Sequence, residues 1–320
     1  MPELVIGTGD HRYLWHDHWA RVTDGQAGAG NARTHGVCVA KDGTVVVFAQ
    51  SADGILHFDP DGRFIGKFGG GDWGLAHGLT YIADDSGEYL WLTNEPNGGK
   101  VAKTTLTGEV VRDIEPIVAT PPGADEPGAY CPTWAAENPV SGEVWVADGY
   151  GSSLVHRVGA DGKPDLTLTG EEGAGRFACP HGIAFDTRGG KAPELYITDR
   201  GNGRIVVYDA AGVYQRTVQH EAMQAPCCFD FLGDLMLVPD LNASVCVYDA
   251  SDEIVAPDLG VHREAVKWGR GWPNWNITGS PEMVQPGKFN SPHGGCFGPD
   301  GSIYIAEWLL GGRVTKLTPA

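Results

Sequence analysis

Apolar residues recur along this chain in short runs, broken by Gly, Pro and Asp-Gly pairs. Long helical periodicity is absent. The run "HGVCVAKDGTVVVF" is followed by "GILHFDPDGRFIGKFG", and "PHGIAFD" leads to "PELYITDRGNGRIVVYDAAGVYQRTV". "CPTWAAENPVSGEVWVADGYGSSLVHRV" and "APCCFDFLGDLMLVPDLNASVCVYDA" follow the same plan. Each unit predicts four short strands joined by Asp-Gly-type turns. Aligning the units gives six starts: His35, His77, Thr133, His181, Cys227 and His293. They fall roughly fifty residues apart, the size of a propeller blade. The expected fold is therefore all-β, a six-bladed β-propeller forming one domain over residues 1–320. The last unit ends after three strands, at "GSIYIAEWLLGGRVTKLTPA". Residues 1–22, with "RYLWHDHWA", are expected to supply the strand that closes the ring and covers its open edges.

Composition narrows the partners. With 41 acidic and 23 basic residues the formal charge is −18. Such a surface repels nucleic acid and anionic membrane, so neither is expected. The start "MPELVIGTGDHRYLW" has no basic segment and no apolar run of signal-peptide length, and no stretch approaches a membrane span. Seven cysteines, an odd and scattered set lying mostly in apolar runs, read as reduced thiols of a cytoplasmic protein.

Propeller geometry gives the His-Gly starts a meaning. The innermost strand of each blade begins at one mouth of the channel, and the antiparallel second strand ends there. His77, His181 and His293 belong to blades two, four and six, about 120° apart in a six-fold ring. Three imidazoles can then converge on one metal ion with an open axial position, the layout of a catalytic zinc site. One such histidine alone would be structural, donating to a neighbouring carbonyl; three on alternate blades point to metal. His35 breaks the alternation and reads as a structural, supporting or substrate-contacting group. Cys227 can in principle ligate a metal, but beside Cys228 it reads as a small core residue.

The second strands deliver Gln50, Asn94, Glu95, Asp148, Tyr150, Asp199, Arg200, Asp240 and Glu307 to the same mouth. Tyr150 can act as a general base or acid when a cation lowers its pKa. Arg200 can hold a carboxylate. The plainer alternatives are a packed aromatic and a salt bridge. The long connector "VKWGRGWPNWNITGSPEMVQPGKFN" brings Trp268, Arg270, Trp272 and Trp275, which can wall a substrate pocket or simply pack the loop.

The repeat resembles NHL repeats over nearly the whole chain. The site residues resemble those of the peptidyl-α-hydroxyglycine α-amidating lyases. "AHGLTY", "PHGIAF" and "SPHGG" match that family's three zinc-ligating histidines at His77, His181 and His293. "VADGY" matches its catalytic tyrosine at Tyr150, and "TDRGNGR" a second active-site residue at Arg200. The resemblance implies a zinc lyase that splits a carbinolamide, turning an N-acyl α-hydroxyglycine into a primary amide and glyoxylate. Three departures stand out. Gln50 replaces a family arginine. Gly294 replaces an aspartate that helps bind calcium, so no structural calcium is expected. Cys131 matches a family disulfide cysteine whose partner position is Gly151. The expected substrate is therefore a hydroxylated small molecule, with or without a carboxylate, contacted by Gln50, His35, Arg270 and Trp272. Two rivals remain. A non-catalytic NHL scaffold needs no converging histidines. A propeller lactonase would place calcium on acidic or amide groups such as Asn94, Glu95, Asp148, Asp199 and Glu307.

Overall fold

The computed structural model describes residues 3–22, 30–51, 54–69, 72–95, 99–262 and 284–320. Trp268, Arg270, Trp272 and Trp275 lie outside these residues. The chain is nearly all β-strand and forms the six antiparallel sheets of a six-bladed β-propeller. No described helix is long and apolar enough to cross a membrane.

The continuous apolar runs are the second strands. Val45–Ser51, Val144–Asp148 and Ile303–Glu307 are buried at every position. A strand packed on both faces loses the alternation that marks a half-exposed one. The outer strands alternate instead, as in Phe64–Phe68. Asp-based turns join them: Asp59 Oδ1 accepts the backbone N–H groups of Asp61 and Arg63, and Asp209 Oδ1 those of Ala211 and Val213.

Backbone contacts divide the chain into two units, Met1–Gly74 with Glu221–Ala320, and Leu75–His220. The first holds blades one, five and six. There Val37, Val45, Val47 and Phe58 of blade one pack with Cys296, Tyr304 and Val314 of blade six. Tyr13, Trp15, Ile305 and Leu317 pack with Leu237, Val245 and Val247 of blade five. The second unit holds blades two, three and four, with Trp91 and Val101 buried against Ala135, Val144 and Val158.

The N-terminal segment completes blade six and goes further than its sequence suggested. His11–Ala20 pairs antiparallel with Arg313–Pro319, and Val5–Thr8 pairs with His11–Ala20, giving that sheet five strands where the others have four. Arg313 fastens the addition. Its buried guanidinium donates to Asp17 on the added strand (Nε–Oδ1 2.9 Å), to Glu307 of its own blade (3.1 Å) and to the Lys288 carbonyl (3.0 Å).

Candidate functional site

His77, Thr133, His181 and His293 stand at or just before the start of a first strand, while His35 lies inside Gly30–Val39 and Cys227 precedes Asp230–Leu232. Two of the histidines show why glycine follows. In the Leu75–His220 unit, His77 Nδ1 donates to the carbonyl of Thr133, the start residue of the next blade, at 2.7 Å. A Cβ at Gly78 would lie 2.4 Å from that same oxygen, so only glycine admits it. In the other unit His293 Nδ1 donates to the His35 carbonyl at 3.3 Å, and a Cβ at Gly294 would lie 2.1 Å from that oxygen. The same contact leaves little room for the aspartate that the resemblance places at 294. Each imidazole thus carries its proton on Nδ1 and presents the Nε2 lone pair, the arrangement that orients a metal-binding histidine. Burial lowers His77 to about 3; the Thr133 carbonyl raises it and the Arg200 charge lowers it. It is a neutral, ligand-competent imidazole at any physiological pH.

Within the Leu75–His220 unit, four functional groups meet. His77 Nε2 and His181 Nε2 are 3.2 Å apart, on side chains with no exposed surface. The Tyr150 hydroxyl lies 3.0 Å from the first nitrogen and 3.3 Å from the second. Glu95 Oε1 lies 3.4 Å from His77 Nε2. Two nitrogens bound tetrahedrally to one zinc at about 2.0–2.1 Å stand about 3.3 Å apart, so the pair is spaced for a shared ion. The chemistry of the donor set agrees. A lone pair on His77 and a carboxylate on Glu95 face each other, and two acceptors cannot hydrogen-bond without a proton or a cation between them. Groups of His and Cys able to hold a metal ion do occur in the structure.

Arg200 tunes this cluster. Its guanidinium lies 5.1 Å from the centre of the Tyr150 ring and donates to Cys179 Sγ at 3.2 Å. The Tyr150 residue is 37% exposed, but its hydroxyl sits against the buried His77 and His181 rings, and this desolvation pushes the phenol above its usual range, with Arg200 pulling it back. Burial likewise pushes Glu95 up to about 7 against the pull of Arg200.

The other second-strand ends have a different job. Asn94 Oδ1 accepts the N–H of Leu75 at 2.9 Å. Asp148 accepts from Cys131 at 2.6 Å and Asp199 from Ala178 at 2.8 Å. Asp240 accepts from Gln224 and Ala225, and Glu307 from Asn290 and Ser291. Each staples the incoming backbone of its own blade, satisfying buried N–H groups. Asn94, Asp148, Asp199 and Glu307, read from sequence as possible hard-cation ligands, accept backbone hydrogen bonds in the fold. The residue that follows a staple reaches the His77 cluster: Glu95 after Asn94, Arg200 after Asp199, and Tyr150 one glycine beyond Asp148. Glu95, read from sequence only as a strand end and possible calcium ligand, joins the cluster at His77, and its place directly after a staple is the signal in the sequence.

The remaining candidates sit in the Met1–Gly74 and Glu221–Ala320 unit. Gln50 is buried near the end of Val45–Ser51. His35 is buried, with its ring 4.5 Å from that of His293. Trp308, after the Glu307 staple, lies edge-on to His35 and carries the Arg33 guanidinium 4.2 Å over its ring. Cys227 is buried and its thiol points to the Ala225 carbonyl. All seven cysteines are free thiols, and a Cβ at Gly151 would meet Asp148 Oδ1 at 2.2 Å.

Fold and site define a β-propeller with histidines at its blade starts. No protein-family model matches the chain. It is similar to peptidyl-glycine alpha-amidating monooxygenase B of Xenopus laevis, 30% identical over 259 residues, which is 77% of this chain and 26% of that protein. It is also similar to the peptidylglycine alpha-amidating monooxygenase of Rattus norvegicus, 30% identical over 169 residues, 48% of this chain and 16% of that protein. The chain therefore spans 16% to 26% of the length of the curated relatives named here. These relatives agree with the resemblance read from the site residues. Among solved structures, virginiamycin B lyase from Staphylococcus aureus matches with a TM-score of 0.59 at 14% identity, over 96% of this chain and 99% of that one. A gluconolactonase from Xanthomonas campestris matches with a TM-score of 0.62 at 12% identity, over 99% of this chain and 95% of that one. At such identities these two speak for the fold.

Proposed function

We propose that the protein is a metal-dependent lyase that cleaves a hydroxylated small molecule by carbinolamide-type C–N fission, with zinc held by His77, His181 and His293. The observation that carries this reading is the pair of Nε2 atoms of His77 and His181, 3.2 Å apart, with the His77 proton committed to Thr133. His293 joins them because its Nδ1 is committed in the same way to the His35 carbonyl. The metal's contribution, when bound, is Lewis acidity that lowers the pKa of a substrate hydroxyl.

The protein's own groups do the rest. The Tyr150 hydroxyl stands within hydrogen-bond reach of both nitrogens, where it can accept the substrate's hydroxyl proton. The Arg200 guanidinium, 5.1 Å from the ring centre, works against the desolvation that holds the phenol protonated. The oxygen's electron pair then forms a carbonyl as the C–N bond breaks, and the departing nitrogen takes a proton to become an amide. Arg200 orients the polar group beside the reacting carbon. Gln50, His35, Arg270 and Trp272 are proposed to contact the substrate. The partner is a small molecule rather than nucleic acid or membrane, given the charge of −18. Seven free thiols fit a cytoplasmic setting. Elemental analysis of the purified protein, with an assay of glyoxylate release from an N-acyl α-hydroxyglycine and aldehyde release from its neutral analogues, tests the reading. A protein that holds no metal and cleaves none of them overturns it.

A further inference from the structure

We propose that Glu95 and Arg200 form a donor–acceptor pair that selects a neutral group, such as a carboxamide, and rejects a carboxylate on the substrate. The proposal rests on the lyase reading above and adds the substrate class.

Glu95 is a built feature of the site. Its backbone is fixed on both sides: its N–H donates to the Leu75 carbonyl at 2.9 Å, while Asn94 Oδ1 accepts the Leu75 N–H at 2.9 Å. Its carboxylate is one-quarter exposed and reaches to 3.4 Å from His77 Nε2, so a ligand at that nitrogen meets it. Arg200 acts on the same place. Its guanidinium lies 5.1 Å from the centre of the Tyr150 ring, whose hydroxyl is 3.0 Å from the same His77 nitrogen. The arginine that would hold a substrate carboxylate therefore shares the His77–Tyr150 cluster with a carboxyl group.

The consequence is a matter of hydrogen-bond bookkeeping. A carboxylate offers acceptors only, so one placed on Arg200 would turn its charge toward Glu95, and like charges at short range in a partly buried site are costly. A carboxamide offers an oxygen that Arg200 can donate to and an N–H group that Glu95 can accept. A pair of opposite protein charges thus complements a neutral group with both a donor and an acceptor, and the repulsive member supplies the discrimination.

Calorimetric titration of the metal-loaded protein with hippurate and with hippuramide, unreactive analogues differing only in that group, provides the test. Zinc content is measured on every sample. The expected result is that wild type binds hippuramide at least tenfold more tightly than hippurate. Glu95→Gln, compared at equal zinc loading, should remove most of that preference, and Glu95→Asp should keep part of it. Equal or tighter binding of hippurate by the zinc-loaded wild type overturns the proposal. So does an unchanged preference in Glu95→Gln, or binding of neither analogue. A wild type that holds no zinc instead overturns the lyase reading on which the proposal stands.

Discussion

The Thr133 carbonyl holds His77 in place: it accepts the Nδ1 proton at 2.7 Å and does so through the gap left by Gly78. The His35 carbonyl, Gly294 and His293 repeat the device in the other unit. A backbone carbonyl cannot be mutated, but the gap can be filled. Gly78→Ala or Gly294→Ala pushes the carbonyl away and should weaken zinc binding about 10–100-fold, the usual effect of losing a ligand's outer partner. His77→Ala, His181→Ala and His293→Ala should each lose the metal, and His35→Ala should retain it. Zinc content after dialysis, with circular dichroism as a folding control, decides this. Full metal retention in the three histidine variants would remove the proposed site.

Tyr150→Phe keeps the ring beside both histidines and removes only the proton acceptor. Zinc content should stay as in wild type while kcat falls by about 10²–10⁴. Unchanged kcat on a substrate that wild type cleaves would assign the base elsewhere.

His156 provides a pH signature independent of the site. Its ring is fully buried, Nδ1 lies 2.9 Å from Thr167 Oγ1, and burial lowers its pKa to about 4. Between that value and the ordinary range of about 6.5, the unfolded chain takes up a proton that the folded chain refuses. Stability supplied by the neutral ring is therefore complete above pH 6.5 and declines as pH falls toward 4. His156→Gln removes the effect. The stability advantage of wild type over the variant should shrink by on the order of 3 kcal/mol between pH 7 and pH 4, as read by urea denaturation. A gap constant with pH would show that the ring is protonated in the fold.

How much of this was legible in the sequence follows from what each residue answers to. Blade starts and the strand-supplying N-terminus were readable because burial on both faces leaves long apolar runs, as in Val45–Ser51. His77, His181 and Tyr150 were readable because repeats put equivalent residues at equivalent depth. The fifth strand, Val5–Thr8, was not, since a short and largely exposed edge strand carries little apolar pattern. The staples were not legible for a related reason: a carboxylate binding a calcium ion and one accepting two backbone N–H groups look the same in a sequence. Asp240 becomes an acceptor for Gln224 and Ala225 only once the incoming backbone is in place. The approach of Glu95 to His77 was hidden because it depends on where the side chain lies, which no spacing rule gives.

Arg313 and Asp17 make the added N-terminal strand a structural necessity. Arg313 is 1% exposed, and Asp17 on the strand supplies one of its two carboxylate partners. Asp17→Ala leaves a buried cation partly uncompensated, which typically costs about 3–5 kcal/mol. Deleting residues 1–22 also exposes the edge of Arg313–Pro319 and uncovers Phe289, against which Trp15 packs at 4.7 Å. Both changes should lower the melting temperature, the deletion more severely. A deletion variant that melts like wild type would show that the strand is dispensable.

Gln50 is where this chain departs from the residues its site otherwise resembles, and the departure has a direction. A neutral amide offers hydrogen bonds but no charge, where the resemblance calls for an arginine. Wild type should therefore release glyoxylate from α-hydroxyhippurate slowly and cleave the neutral α-hydroxyhippuramide faster. Gln50→Arg adds a cation and should raise kcat/KM for the acid by about tenfold or more, mainly through KM, because a charge that binds ground state and transition state alike does not change kcat. Arg200→Ala should lower kcat/KM for both compounds, since that guanidinium also faces the Tyr150 ring. Efficient wild-type turnover of the acid would make the protein an ordinary amidating lyase in its substrate preference. No cleavage of either compound by wild type or by Gln50→Arg would confine the resemblance to fold and metal.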